Sequence, residues 1–206
     1  MRFLLGILGL GMIASATATE ANWVNAQDPL AYWAQPANWQ GVEEIPTNGE
    51  DVALAPLASG VTAQTVSTGG VPDSGDRSLV VNDVVVGKLT GDAAHTVEHA
   101  TRVSSYSKPY ARTFTIDDAS DFWGLLKVGQ PLAAFCFPSS TSVARLSARN
   151  RVIVNVPNDG TTLTVGALEE GGAIEKTGAG ALVLSSVADK ATLVYAKAGT
   201  LTLGDG

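Results

Sequence analysis

Along the C-terminal third of the chain, apolar and polar residues alternate in short runs, and the runs repeat. Thr162-Leu163-Thr164-Val165, Ala181-Leu182-Val183-Leu184 and Thr200-Leu201-Thr202-Leu203 align without gaps, and Leu163, Leu182 and Leu201 are each nineteen residues apart. Alternation with a period of two predicts strands, so Leu182 and Leu184 share one face and Ala181 and Val183 the other. A second run precedes each phrase, at 151–156, 173–176 and 191–196, placing Val154, Ile174 and Leu193 at spacings of twenty and nineteen. The turns between paired runs read PNDG, TGAG and AKAG. Gly160, Gly180 and Gly199 stand just before the second run, where a positive φ costs glycine least.

A period near twenty with two short strands predicts a β-solenoid. One such turn of chain, a rung, has no core of its own. Stacking the next rung ~4.8 Å above it pairs the backbones and lines Leu163, Leu182 and Leu201 into an apolar ladder. Hairpins of a β-sandwich also alternate, but they do not require the same phrase at equal spacing. Upstream, residues 77–91 and 112–129 read as less regular rungs, with Val80, Val84, Val86, Leu89, Phe114, Ile116 and Leu126 as core positions. The expectation is an all-β chain with a solenoid over 52–206, clearest at 151–206. Loops are expected to be inserted at 67–77, 91–111 and 130–148.

The phrase IEKTGAGALVLSS, followed by YAKAGTLTLGDG, carries Lys176, Gly178, Gly180, Leu182 and Leu184, then Gly199, Thr200, Leu201, Leu203 and Gly204. These positions resemble the autotransporter-associated β-strand repeat of large exported bacterial surface proteins. The likeness covers about 35 residues. Its middle departs, with VADKATLVYA where the family commonly has a Tyr-x-Gly-Gly-Thr stretch. The resemblance implies a right-handed parallel β-helix in a surface-exposed or secreted protein, and implies no catalytic site.

The start of the chain reads differently. Residues 1–21 have a basic Arg2, an apolar run from Phe3 to Ala14 and small-residue cleavage sites around Ala14, Ala16 and Ala18, which predicts a secretory signal peptide. The apolar run is short for a membrane anchor, and no other stretch is long enough to span. Residues 22–51 are rich in tryptophan (Trp23, Trp33, Trp39), and 32–54 resemble an opening module found ahead of such repeats. Asn38-Trp39, Gly41, Pro46 and Gly49-Glu50-Asp51-Val52 carry that likeness. The expected role is a cap over the first rung's apolar end. The alternative is that Trp33 and Trp39 stack on sugar rings as ligand-binding residues.

Charge narrows the partners. Thirteen basic against twenty acidic residues give a net charge of −7 without a basic run, which disfavours nucleic acid. Cys136 is the lone cysteine, so no internal disulfide forms. Its apolar setting, AAFCFP, predicts a small buried side chain.

Candidate chemistry is sparse. His95 to His99 read HTVEH, which matches a helical zinc motif with His95 and His99 as ligands and Glu98 as base. On a strand, His95, Val97 and His99 would instead share a face, with Glu98 opposite. Asp117, Asp118 and Asp121 suggest calcium but lack the central glycine and distal glutamate of a calcium loop. A polysaccharide-lyase-like enzyme would need carboxylates and a Lys or Arg converging on successive rungs. Asn155, Glu175 and Lys176 read as scattered outward positions.

The expectation is therefore a non-enzymatic, exported structural or adhesion-type solenoid of a bacterial cell surface, outer membrane or extracellular space, without cofactor or metal. Its expected partner is a glycan or a host or matrix protein, with end-to-end self-association at an exposed last rung. The alternative is a carbohydrate-interacting protein, binding sugar at the Trp-rich start or cleaving polysaccharide along the stack.

Overall fold

The structure, a computed structural model, describes residues 19–69, 83–99, 113–129, 133–149, 151–186 and 192–204. Most of the expected signal peptide, and Val80, lie outside them.

The chain lays down strands in pairs. β1 (Glu20–Trp23) and β2 (Leu30–Tyr32) form the first rung, and a 3-10 turn over Pro36–Asn38 leads into the short β3 (Trp39–Gln40). Seven further pairs follow. They are β4 (Asn48–Leu54) with β5 (Gln64–Ser67), β6 (Val84–Thr90) with β7 (His95–His99), β8 (Thr113–Ile116) with β9 (Asp121–Val128), and β10 (Ala134–Cys136) with β11 (Thr141–Ser147). Then come β12 (Val152–Asn155) with β13 (Thr162–Glu169), β14 (Ala173–Thr177) with β15 (Ala181–Leu184), and β16 (Leu193–Ala196) with β17 (Thr200–Leu203). The first member of each pair joins one sheet, ordered β16-β14-β12-β10-β8-β6-β4-β1-β3. The second joins the other, ordered β17-β15-β13-β11-β9-β7-β5-β2. Apart from β3, which lies antiparallel on β1, every pairing among the described strands is parallel. The protein is an all-β solenoid of stacked two-strand rungs. At ~4.8 Å per step the stack rises roughly 34 Å from first rung to last.

Alternation decides which side chains meet between the sheets. Thr141, Leu163, Leu182 and Leu201 form one column, and Phe122, Val143, Val165, Leu184 and Leu203 form another. The leucine ladder expected from the nineteen-residue spacing is the observed register. One continuous core runs from Trp23 to Leu184, aromatic toward the N-terminal end and aliphatic toward the other.

Three expectations need correction. Ile174 lies beside Val152 and Val194, not in line with Val154 and Leu193. Leu193 faces outward and is 58% exposed. The run ATLVYA is apolar on both faces, so its pattern does not fix which face is buried. The stretches 91–111 and 130–148 are not wholly loops, since they contain β7, β10 and β11. Polar residues at inward positions, His95, His99 and Thr141, hide the alternation there. Finally, parallel pairing begins at Glu20 rather than at residue 52, because β1 already lies on β4 and β2 on β5.

The corner after β14 shows how rungs are locked together. Gly178, not Gly180, takes the positive φ of 78°. A Cβ at Gly180 would sit 2.6 Å from the Asn158 carbonyl oxygen, so that glycine is required by close rung packing. Lys176 points inward and is fully buried. Its Nζ donates to the carbonyls of Thr177 at 2.7 Å, Gly178 at 2.8 Å and, one rung on, Ala198 at 3.1 Å. Burial pushes its pKa below the usual lysine range.

Leu182→Ala should destabilise the protein by about 2–5 kcal/mol, as other buried leucine truncations do. The outward Val183→Ala on the same strand should cost far less. Urea denaturation of the two variants measures the contrast.

Candidate functional site

The tryptophan-rich start is where sugar stacking was anticipated, and the structure places those rings in the core. Trp33 is fully buried and Trp39 is 6% exposed. Trp39 packs edge-on against Trp23 at 4.8 Å and Trp33 at 4.7 Å, and Trp33 meets Phe114 at 5.4 Å. The indole N–H of Trp33 donates to the Pro46 carbonyl and that of Trp39 to the Trp33 carbonyl, both at 2.8 Å. Both ring faces and both donors are thus used internally, and neither residue offers a platform for a sugar.

HTVEH is strand β7, with His95, Val97 and His99 inward and buried. Four residues along a strand separate the two imidazoles' backbones by ~13 Å, too far for both to reach one metal ion. Glu98 faces the other way and pairs with Lys127 at 3.3 Å. His95 Nδ1 lies 2.8 Å from Asp92 Oδ1, close enough for an ion pair but poorly angled for a hydrogen bond. His99 Nδ1 lies 3.0 Å from Thr68 Oγ1, with its ring against Phe114 and Phe135. Among the described residues no three His, Cys, Asp or Glu side chains gather as a metal site.

Asp118 belongs to the turn between β8 and β9, where its Oδ1 accepts from the Ala119 N–H at 2.7 Å and its Oδ2 lies 3.8 Å from Lys88. Cys136 corrects another expectation. It is half-buried on the outer face, in a column with Thr115 and Asn155, rather than a core side chain. Burial raises its thiol pKa, which works against a reactive thiolate.

Of the residues that read as scattered outward positions, Glu175 alone enters a cluster, formed with Arg151 and Lys197, which the sequence pattern does not single out. Arg151, Glu175 and Lys197 come from three successive rungs, and Glu175 Oε2 and Oε1 bond Arg151 and Lys197 respectively. Glu175 is nearly buried, whereas the two cations are about half exposed. Tyr195 lies beside Glu175 on β16, and together they line an open groove of about 590 Å³. Hydrogen bonds from Lys197 and then Arg151 hold the Glu175 carboxyl below the usual glutamate range, against the opposing effect of burial. A carboxylate so held is a weak base. The signal for this cluster is its spacing of 24 and 22 residues, one rung each. Lys176, expected to face outward beside Glu175, points into the core instead.

Comparison of the chain with protein-family models, with curated proteins and with solved structures finds no match. No helix among the described residues is long and apolar enough to cross a membrane.

The ion triad predicts a pH signature. Glu175→Gln should melt at a lower temperature than the parent at neutral pH. A depressed carboxyl pKa contributes stability above the unfolded value of about 4.3 and loses it as pH falls through the folded value. The gap between the two melting temperatures should therefore close in that acid range. A gap that persists unchanged at pH values below it would refute the assignment.

Proposed function

We propose that this chain is an exported, non-enzymatic β-solenoid serving as a stiff structural or adhesion-type element of a bacterial cell surface. The observation that carries the reading is the unbroken pair of parallel sheets around one continuous core. Each interior rung is hydrogen-bonded to a rung on either side, so bending the stack means distorting many bonds at once. Such a rod holds its outer faces in fixed register for a partner, a glycan or a host or matrix protein.

Finer parts of the reading have their own support. The resemblance of Lys176, Gly178, Gly180 and the leucine phrases to the autotransporter-associated repeat favours a right-handed coil and a cell-surface or outer-membrane address. The basic Arg2, the apolar run after it and the small-residue sites near Ala16 favour export through a cleaved signal peptide. An N-terminal cap is favoured by β3, whose antiparallel placement on β1 ends the parallel series there, and by the packed tryptophans beside it. The lyase-like alternative is weakened by Glu175, whose carboxylate is engaged by both neighbouring cations.

Expressed in a bacterium with an outer membrane, the chain should leave the cytoplasm, and its mass should show a mature start between residues 17 and 22. An uncleaved chain retained in the cytoplasm would contradict the proposal. Incubation with polygalacturonate should yield no unsaturated sugar ends, and their accumulation would overturn the non-enzymatic part.

A further inference from the structure

Of the four tryptophans, Trp23, Trp33 and Trp39 are buried, and Trp123 is 61% exposed. It projects from the outer face of β9, in the middle of the stack and away from both ends. We infer that Trp123 is the stacking platform of a carbohydrate subsite on this lateral face.

The local backbone is irregular in a way that presents the ring. Phe122 lies opposite Val143 and Leu125 opposite Arg145, so Trp123 and Gly124 on β9 face Ala144 alone on β11. This is a β-bulge, a device that re-aims a side chain. Gly124 is needed there, because a Cβ would fall 2.4 Å from the Phe122 ring and 2.5 Å from the His95 carbonyl oxygen. The arrangement leaves a large apolar surface in water and contributes nothing to the core through the indole.

The surroundings suit a sugar rather than a protein. On the next two rungs the neighbouring outward residues are Ala144 and Gly166, which leave the face open beside the indole. Ser142 and Thr164 flank this floor on one side. On the other, Arg145 reaches back across β9 to the Ala93 carbonyl and pairs through Nη1 with Glu169 Oε1 at 3.0 Å. The backbone of Trp123 is tied to the same 91–94 segment, its main-chain N–H donating to the Gly91 carbonyl at 3.1 Å. An exposed indole suits a pyranose, whose apolar C–H face can stack on the ring while its hydroxyls reach polar outward side chains such as Ser142 on the neighbouring rung. A protein partner would need about 800 Å² of surface with an apolar centre. Among the described residues, the other large exposed apolar side chains of this sheet are Leu30 and Leu203, roughly 14 and 19 Å away along the axis.

The inference rests on the chain being a surface-presenting stack. Its test is separate from that reading, since Trp123 can fail as a platform while export and the rod stand. Full-length exported protein and its Trp123→Ala and Trp123→Phe variants would be run through affinity gels containing cellulose derivatives, chitin, xylan or polygalacturonate, with circular dichroism to verify equal folding. Because the other tryptophans are buried, acrylamide quenching of fluorescence reports on Trp123 directly. At least one polysaccharide should retard the parent and shield it from acrylamide. Trp123→Ala should weaken that binding at least about tenfold, with Trp123→Phe intermediate. The inference is overturned if no polysaccharide retards the parent, or if Trp123→Ala binds as the parent does. It is equally overturned if Trp123 proves instead to drive self-association in sedimentation.

Discussion

Parallel backbone pairing between rungs is the interaction on which everything else in this molecule depends. A single rung of two short strands cannot enclose an apolar core, so no rung is stable until another lies on it. Once the ladders form, the register fixes what each inward side chain meets, and the columns through Leu182 and Leu184 follow. The same register governs the outside. Residues one rung apart in sequence become neighbours on a flank, which is how Arg151, Glu175 and Lys197 come together and how Trp123 comes to stand beside Ala144 and Gly166.

The core tolerates polar groups where the rungs turn, because exposed backbone carbonyls are concentrated there. Gln64 is buried, donates to the carbonyls of Asn25 and Asp28 and accepts from the Trp23 indole. Lys176 does the same work at the other end of the stack, spanning two rungs with one ammonium. A buried polar group without partners would cost about 1–3 kcal/mol, so these side chains are tied to their corners.

Legibility in the sequence followed the purity of the alternation. The phrases Thr162–Val165, Ala181–Leu184 and Thr200–Leu203 alternate strictly, with Leu163, Leu182 and Leu201 nineteen residues apart, and their ladder and strand pairing were readable from spacing alone. Residues 191–196 are apolar on both faces, so the phase of β16 was not readable. β7 and β11 were hidden because His95, His99 and Thr141 occupy inward positions that a hydrophobicity pattern scores as surface. The candidate sites were less legible than the fold. Tryptophans near the start were visible, but Trp33 packs against Phe114, which comes three rungs later. Trp123 is conspicuous only once the bulge and its exposure are known, since its neighbours in sequence, Phe122 and Leu125, look like the same apolar run.

A stack of this kind makes one geometric demand that no hairpin sandwich shares: distance along an outer face must grow linearly with rung number. Thr65 on β5, Ala167 on β13 and Thr202 on β17 all face outward on one sheet, with four strand steps between the first two and six between the first and last. Spin labels placed pairwise at these positions, in a Cys136→Ser background, would be measured by double electron–electron resonance. The account predicts backbone separations of about 19 Å for Thr65 with Ala167 and about 29 Å for Thr65 with Thr202. Equal distances for the two pairs, or a shorter one to Thr202, would contradict the stacked solenoid.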